Sequence, residues 1–233
     1  MWTRAELKSN GRLVMSQNYW STVLVGLLVM LSTGGMNASN SSSFNRATTN
    51  ANLDLAEIFI LLGVIFTFIF MASLITLVVA IFVLNPLEIG CRRYLISARQ
   101  APGDLALVGF GFKYSYMNIV TIQFLRNLFI FLWSLLLVIP GIIKSYEYRM
   151  IPYILAENPS MDYQTAFARS KSMMMGEKWN AFVLDLSFIG WHILGILTCG
   201  ALSVFYVVPY QISTNAELYE ALRGNIEKNA NRV

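Results

Sequence analysis

The sequence predicts an all-α protein: a polytopic membrane bundle of about six transmembrane helices, with interfacial amphipathic helices and both termini in the cytoplasm. Three observations support this fold class. Of the 233 residues, 56% are hydrophobic and 13% are charged, about half the charged share of a soluble domain. Residues 58–84 form an apolar run without a charged side chain, long enough to cross a bilayer. Lys and Arg residues are distributed unevenly between the predicted loops.

The apolar segments are expected to form one membrane domain over residues 1–233. Residues 1–18 predict an amphipathic helix with Leu7 and Val14 on one stripe. We favour a retained first span over a cleaved signal peptide, because no small-residue cleavage site follows the apolar run. The six predicted spans are residues 13–31, 58–84, 119–139, 142–156 and two helices within 179–222.

Proline and glycine mark the predicted interruptions. Pro140 and Gly141 are expected to break the chain after the third span, because proline lacks a backbone donor and glycine is permissive. Cys199 and Gly200 are expected to divide the last apolar block into two helices. Pro209 is predicted to break the sixth span in the same way.

The Lys and Arg residues predict the orientation. With the N-terminus in the cytoplasm, 13 of the 17 basic residues face that side, whereas the Asn- and Ser-rich outer loop of residues 32–57 contains only Arg46. Cytoplasmic loops of membrane proteins carry such an excess of Lys and Arg. The cytoplasmic basic residues are Arg4, Lys8, Arg12, Arg92, Arg93, Arg99, Lys113, Arg169, Lys171, Lys178, Arg223, Lys228 and Arg232.

Two predicted cytoplasmic segments, residues 88–100 and 162–176, are amphipathic and basic. Such helices either lie among lipid headgroups or pack under the bundle as struts, and we favour the struts. The net charge of +4 follows from the cytoplasmic Lys and Arg residues, so no nucleic-acid partner is expected.

No familiar catalytic or metal-binding motif occurs. The chain has one His, no C-x-x-C, no P-loop and no G-x-S-x-G sequence, so neither a metal nor a cofactor is expected. The sequence therefore predicts a protein that is not an enzyme, although an intramembrane enzyme without such a motif stays an alternative.

Ionisable residues inside the predicted spans form the candidate site. Such groups usually face the bundle interior and have partners. Helix rise places Arg126 and Asp185 at similar depth, and likewise Glu147 and His192. Each pair is either structural or functional, and we favour the structural interpretation of both. Lys144 and Arg149 share the polar fourth segment with Glu147 and are expected to line a wet cavity.

Four stretches of the chain carry a resemblance. They are RAELKSNGRLVMSQNYW (residues 4–20), LLVIPGIIKSYEYRMIPYILAENP (136–159), SKSMMMGEKWNAFVLDLSFIGW (170–191) and VVPY (207–210). They resemble an uncharacterised bacterial membrane family, domain of unknown function nine-seven-five. The resemblance implies a multi-span plasma-membrane protein, chiefly of Gram-positive bacteria, and it implies no catalytic residue.

The preferred hypothesis is a non-enzymatic plasma-membrane protein. It binds a lipid or a membrane-active peptide, or it scaffolds a membrane-protein partner in envelope maintenance. The alternative is a small-solute or proton-coupled transporter or channel, which would show internal repeats and broken helices. The only echo of a repeat is VIPGII in VVPYQI.

Overall fold

A computed structural model describes residues 3–17, 19–32, 55–99, 103–198 and 200–230. In these ranges every regular element is a helix, which confirms the all-α class. Two π-helical turns, Ala80–Leu84 and Ser203–Val207, and a 3-10 turn, Leu105–Gly109, lie between α-helices. The α-helices are α1 (Arg4–Gln17), α2 (Tyr19–Ser32), α3 (Leu55–Val79), α4 (Asn85–Ser97), α5 (Phe110–Lys113), α6 (Tyr116–Leu136), α7 (Val138–Glu147), α8 (Ile151–Glu157), α9 (Tyr163–Met173), α10 (Lys178–Leu186), α11 (Ile189–Leu197) and α12 (Val208–Ala230).

Among the described residues, three helical stretches are long and apolar enough to cross a membrane: Phe59–Ser97, Tyr116–Leu136 and Lys178–Leu197. They coincide with the second, third and fifth predicted spans. The first stretch is 39 residues long and runs from α3 through a π turn into α4 without a break. Its α3 part exposes apolar side chains all around, a pattern typical of a helix surrounded by lipid.

The N-terminal region is divided between two helices. The predicted first span, residues 13–31, falls partly in α1, which ends at Gln17, and partly in α2, which begins at Tyr19. Leu7 lies on the buried face of α1, as the amphipathic pattern predicted, and Gly11 is buried one turn later. Gly11 allows close packing on α12, since a Cβ atom there would lie 2.9 Å from Thr214 Oγ1. The predicted outer loop lies almost wholly outside the described residues.

The π turn before α4 accompanies a proline. Because Pro86 has no N–H group, the Phe82 carbonyl four residues earlier loses its α-helical donor. The Tyr116 hydroxyl of α6 donates a hydrogen bond to this carbonyl at 2.7 Å. A neighbouring helix thus replaces the missing donor, and the long helix continues without a break.

Pro209 shows the same arrangement at the start of α12. The π turn Ser203–Val207 precedes it, and the Tyr19 hydroxyl donates to the Phe205 carbonyl, four residues before the proline, at 3.2 Å. The prediction of a helix break at Pro209 is therefore wrong. The wider turn and the tyrosine hydroxyl accommodate the proline, so the helix runs on.

The break between α6 and α7 lies at Leu137, whose backbone is extended (φ −157°, ψ 137°). The prediction that placed it at Pro140 and Gly141 is wrong, because both residues lie inside α7. A proline in the first helical turn needs no donor, since those N–H groups lack helical partners anyway. Gly141 brings α7 close to α6: a Cβ atom there would lie 2.2 Å from Ser134 Oγ.

The predicted fourth span, residues 142–156, is not a single helix. Helix α7 ends at Glu147 and α8 begins at Ile151, with a turn between them. The predicted division of the last apolar block is confirmed, because α11 ends at Leu197 and Gly200 adopts a positive φ of 86°. Cys199, the other half of that prediction, lies outside the described residues.

The core forms around α4, α8 and α12. The prediction of a separate interfacial helix over residues 88–100 is wrong, because α4 continues the long helix and is buried on most faces. The segment 162–176 does form a surface helix, α9, which buries Ala166 and Ser170 and packs against the core as a strut does. Fully buried core side chains include Ile89, Tyr94, Leu95, Ile154, Leu155, Leu218 and Tyr219.

Candidate functional site

Polar side chains from six helices meet in three neighbouring clusters, which we name after their carboxylates. The Glu88 cluster contains Glu88, Arg92, Gln123, Arg126 and Tyr153; the Asp185 cluster contains Tyr146, Arg149, Asp185 and Asn215; the Glu147 cluster contains Lys144, Glu147 and Lys178.

The Glu88 cluster joins α4, α6 and α8. Glu88 and Arg92 lie one turn apart on α4, so they face the same direction, and their side chains meet at 3.0 Å. The second Glu88 oxygen accepts a hydrogen bond from Gln123 Nε2, also at 3.0 Å. Arg92 donates in addition to the Tyr153 hydroxyl at 3.1 Å. The buried carboxylate therefore has the partners that a buried charge requires.

Arg126 is the least satisfied cation of the Glu88 cluster. Its Nη1 atom lies 3.8 Å from Glu88 and 3.5 Å from Gln123 Oε1. Its Nε atom and that of Arg92 are buried without a hydrogen-bond partner in the part of the chain that the structure describes. A guanidinium carries five N–H donors, so this cluster retains unused donor capacity.

The Asp185 cluster joins α7, α10 and α12. Arg149, in the turn between α7 and α8, forms a bidentate ion pair with Asp185, with N–O distances of 2.7 and 2.8 Å. Tyr146 donates its hydroxyl to Asp185 at 2.8 Å, and Asn215 accepts from Arg149 at 2.9 Å. Bidentate pairs of this kind are strong and fix the relative orientation of both groups.

The Glu147 cluster lies at the end of α7. Lys144 and Lys178 each bind one oxygen of the buried Glu147 carboxylate, at 2.9 and 2.7 Å. Ser170 of α9 donates to the Glu147 carbonyl at 2.7 Å. The Lys144 ammonium also lies 5.6 Å from the ring centroid of Trp133 on α6, within cation–π range.

A small cavity opens beside the Asp185 cluster. Its volume is about 240 Å³, which is the scale of a headgroup rather than of a whole lipid. Ile142, one turn before Ser145, and Ile189, four residues after Asp185, are both about half exposed. The cavity thus lies between apolar helix surfaces. It is lined by Ser145, Tyr146, Arg149 and Asp185.

The three clusters together are positively charged. Five basic side chains face three carboxylates, so two positive charges are in excess. Arg126 and Arg149 lie within electrostatic range of each other. This repulsion would be relieved by an anion near the cavity.

The predicted pair of Arg126 with Asp185 is wrong. Asp185 pairs with Arg149, and Arg126 lies beside Glu88. The depth estimate treated the spans as straight, full-length helices. The turn after α7 instead brings Arg149 to α10, while the continuous long helix brings Glu88 to α6.

The predicted pair of Glu147 with His192 is also wrong. Glu147 binds Lys144 and Lys178, because the C-terminal end of α7 lies next to the N-terminal end of α10 in space. The half-buried His192 imidazole on α11 makes no hydrogen bond or ion pair with the residues that the structure describes. The structure brings Arg126, Lys144, Glu147, Arg149 and Asp185 into the three neighbouring clusters and leaves His192 apart.

Several members of the clusters were not predicted from the sequence. One was detectable, since Glu88 and Arg92 have the i, i+4 spacing of a helical ion pair. Lys178 was assigned to the cytoplasmic side and not to the cluster. The remaining missed residues are uncharged and gave no signal in one sequence: Gln123, Tyr146, Tyr153 and Asn215.

A separate ionic surface covers the C-terminal half of α12. Arg99 forms a bidentate pair with Glu217, at 2.6 and 3.0 Å. Arg223 binds Glu157 and Glu227, and its hydrogen bond to Glu227 raises the pKa of the Arg223 guanidinium. This surface offers ion pairs of similar chemistry outside the three clusters.

Comparisons with known proteins place the chain in a family. The family model described as "Protein of unknown function (DUF975)" matches residues 19–226, which is most of the chain. No curated protein and no solved structure matches at a significant level. Within the described ranges, no three His, Cys, Asp or Glu side chains meet in a way that would hold a metal ion.

Proposed function

We propose that this protein, which belongs to the DUF975 family of proteins of unknown function, is a non-enzymatic membrane protein that binds an anionic amphiphile beside Arg149 and Asp185. One observation carries the proposal. A bidentate ion pair lines a cavity that opens between exposed apolar helix surfaces. An amphiphile presents this combination of a polar group next to hydrocarbon.

The local charge determines the class of headgroup. The two excess positive charges of the clusters favour a phosphate or carboxylate over a cationic group. The Ser145 and Tyr146 hydroxyls add hydrogen-bonding groups to the cavity wall. The acyl chains would lie along the exposed side chains of α7 and α10, including Ile142 and Leu186. A membrane lipid therefore fits better than a cationic membrane-active peptide.

We further propose that the protein is a multi-pass protein of a bacterial plasma membrane, with six spans and both termini in the cytoplasm. Support comes from three long apolar helices and from the Lys and Arg distribution. The Gram-positive assignment rests on the family resemblance alone. Labelling of single introduced cysteines in intact cells tests the topology. A cysteine at Ser42 should react with an impermeant maleimide, and one at Lys228 should not.

Native mass spectrometry of the gently extracted protein tests the function. The wild type is expected to retain a lipid of defined mass. Arg149→Gln removes the charge that would bind the headgroup, so its occupancy should fall at least tenfold. The matched control is Arg223→Gln, which removes an arginine from an ion pair outside the clusters and should retain the lipid. Equal retention by both variants would contradict the site.

Other masses would redirect the proposal. A bound peptide would leave the cavity as the binding site and change the class of ligand. A co-purifying second protein would favour a scaffold in envelope maintenance. A protein without any adduct would contradict amphiphile binding.

A transporter is the second candidate, and one observation favours it. Helices α7 and α8 are two halves of a broken helix, and the three clusters lie beside this break, as substrate sites do in many transporters. Flux assays in liposomes distinguish the two functions. Solute or proton flux that disappears in Asp185→Asn would support transport. Absence of flux through liposomes whose reconstituted protein holds a bound lipid would support binding alone.

A further inference from the structure

A second groove lies outside the three clusters, between the long helix Phe59–Ser97 and α6. Its volume is about 450 Å³. Apolar side chains such as Leu77, Leu128 and Phe131 form most of its wall. Two carboxamides interrupt this apolar wall, Asn85 from the long helix and Asn127 from α6.

Neither carboxamide has a hydrogen-bond partner in the described part of the chain. The backbone N–H of Asn85 donates to the Ala80 carbonyl in the π-helical pattern, but its side chain makes no bond. Asn127 is exposed, and Asn85 is buried except toward the groove. Each carboxamide offers two donors and one acceptor. Leaving such a group unpaired in an apolar environment is unfavourable.

The depth of Asn127 restricts what fills the groove. It lies roughly 16 Å from the first residue of α6 and roughly 14 Å from the last, from the rise of 1.5 Å per residue. If α6 spans the bilayer, Asn127 is near the midplane, where lipid tails offer no hydrogen-bonding group. The occupant must therefore be a helix with a polar side chain at that depth.

We propose that a second copy of this chain docks on this groove, with the Asn85 and Asn127 carboxamides pairing between the two copies. A two-fold axis along the membrane normal places the same residue of both copies at the same depth, which an unrelated helix matches only by chance. A carboxamide is also its own complement, since each one donates to and accepts from the other.

The neighbouring helix α3 supplies further area for this contact. In the described residues α3 makes no extensive contact with any helix except its own continuation through the π turn. Its apolar side chains are exposed on all sides. The groove therefore continues into an unoccupied helix surface, and hydrogen-bonded amides between transmembrane helices strengthen such contacts.

Single-molecule subunit counting of the full-length protein in liposomes, over a range of protein-to-lipid ratios, tests the proposal. The wild type is expected to be a dimer. Asn127→Leu keeps the branching and number of side-chain heavy atoms and removes the amide, so the dimer dissociation constant should rise about tenfold. The matched control is Asn180→Leu, because Asn180 is an exposed carboxamide on α10 that already binds Glu177, the residue just before that helix.

A second measurement covers the case in which substitution disturbs folding. Asn127→Cys in a Cys199→Ser background should form an intermolecular disulfide under mild oxidation, and Asn180→Cys should not. Cys91 does not interfere because it is buried. A monomeric wild type, a dimer that Asn127→Leu leaves unchanged, or equal cross-linking at both positions would overturn the proposal.

Discussion

The Glu88 and Asp185 clusters use the same chemistry in different surroundings. In both, a carboxylate binds an arginine and further hydrogen-bond donors from neighbouring helices. The Glu88 side chain is 10% exposed, whereas that of Asp185 is 28% exposed and lines a cavity. The Glu88 cluster is therefore closed and holds α4, α6 and α8 in register. The Asp185 cluster is open and remains accessible to a ligand.

The largest expected effect is on the closed cluster. Glu88→Gln leaves Arg92 and Arg126 without their carboxylate, and breaking a buried ion pair in this way costs about 3–5 kcal/mol. The free energy of unfolding, measured by thermal denaturation in detergent, should fall by that amount. Glu227→Gln is the control, because the Glu227 side chain is 59% exposed. A Glu88→Gln protein as stable as this control would mean that the cluster is not structural.

In the open cluster, substitution should affect stability less and lipid occupancy more. Asp185→Asn keeps the shape and a hydrogen bond to Tyr146, and the partial exposure of Arg149 limits the cost to about 2 kcal/mol. Lipid occupancy by native mass spectrometry should rise in the same variant, because Asp185 no longer neutralises Arg149 and the site gains a net positive charge for the anionic headgroup. If stability falls as far as in Glu88→Gln while lipid occupancy stays at the wild-type level, the open cluster is structural as well.

A smaller effect is expected at the proline of the long helix. Tyr116→Phe removes the hydroxyl that binds the Phe82 carbonyl, which costs about 1 kcal/mol for a lost hydrogen bond. Thermal denaturation of the variant measures this loss, with Tyr114→Phe as the control because the Tyr114 side chain is exposed. Equal melting temperatures in the two variants would show that the π turn does not need the tyrosine.

The smallest effect is expected on the ionic surface of α12. The Arg223 side chain is 35% exposed, and exposed ion pairs contribute less than about 1 kcal/mol. Arg223→Gln should therefore melt close to the wild type in detergent and retain its lipid. A loss comparable to that of Glu88→Gln would remove the distinction between buried and exposed pairs.

The sequence predicted the helices better than it predicted their partners. The uncharged run of residues 58–84 identified α3, because no other structure suits so long an apolar segment. Neither Pro209 nor Pro140 breaks its helix as predicted. The Tyr19 hydroxyl accommodates Pro209, and Pro140 lies in the first turn of α7. The local sequence shows neither feature. Arg149 was predicted to belong to a polar cluster, but its pairing with Asp185 depends on the turn after α7. Tertiary packing determines which charged side chains become partners. The spacing of residues in a single sequence does not reveal this packing.

The decisive experiment for a lipid site at the Asp185 cluster is photo-cross-linking with a phospholipid that carries a diazirine on its acyl chain, because it maps where a bound lipid lies. We expect labelled peptides to concentrate around Ile142 on α7, Leu186 on α10 and Ile189 at the start of α11. Arg149→Gln should abolish this labelling. Helix α3 serves as an internal reference, since its apolar side chains are at least as exposed. Labelling that is no stronger on α7 and α10 than on α3, or that persists in Arg149→Gln, would contradict a lipid site at the Asp185 cluster.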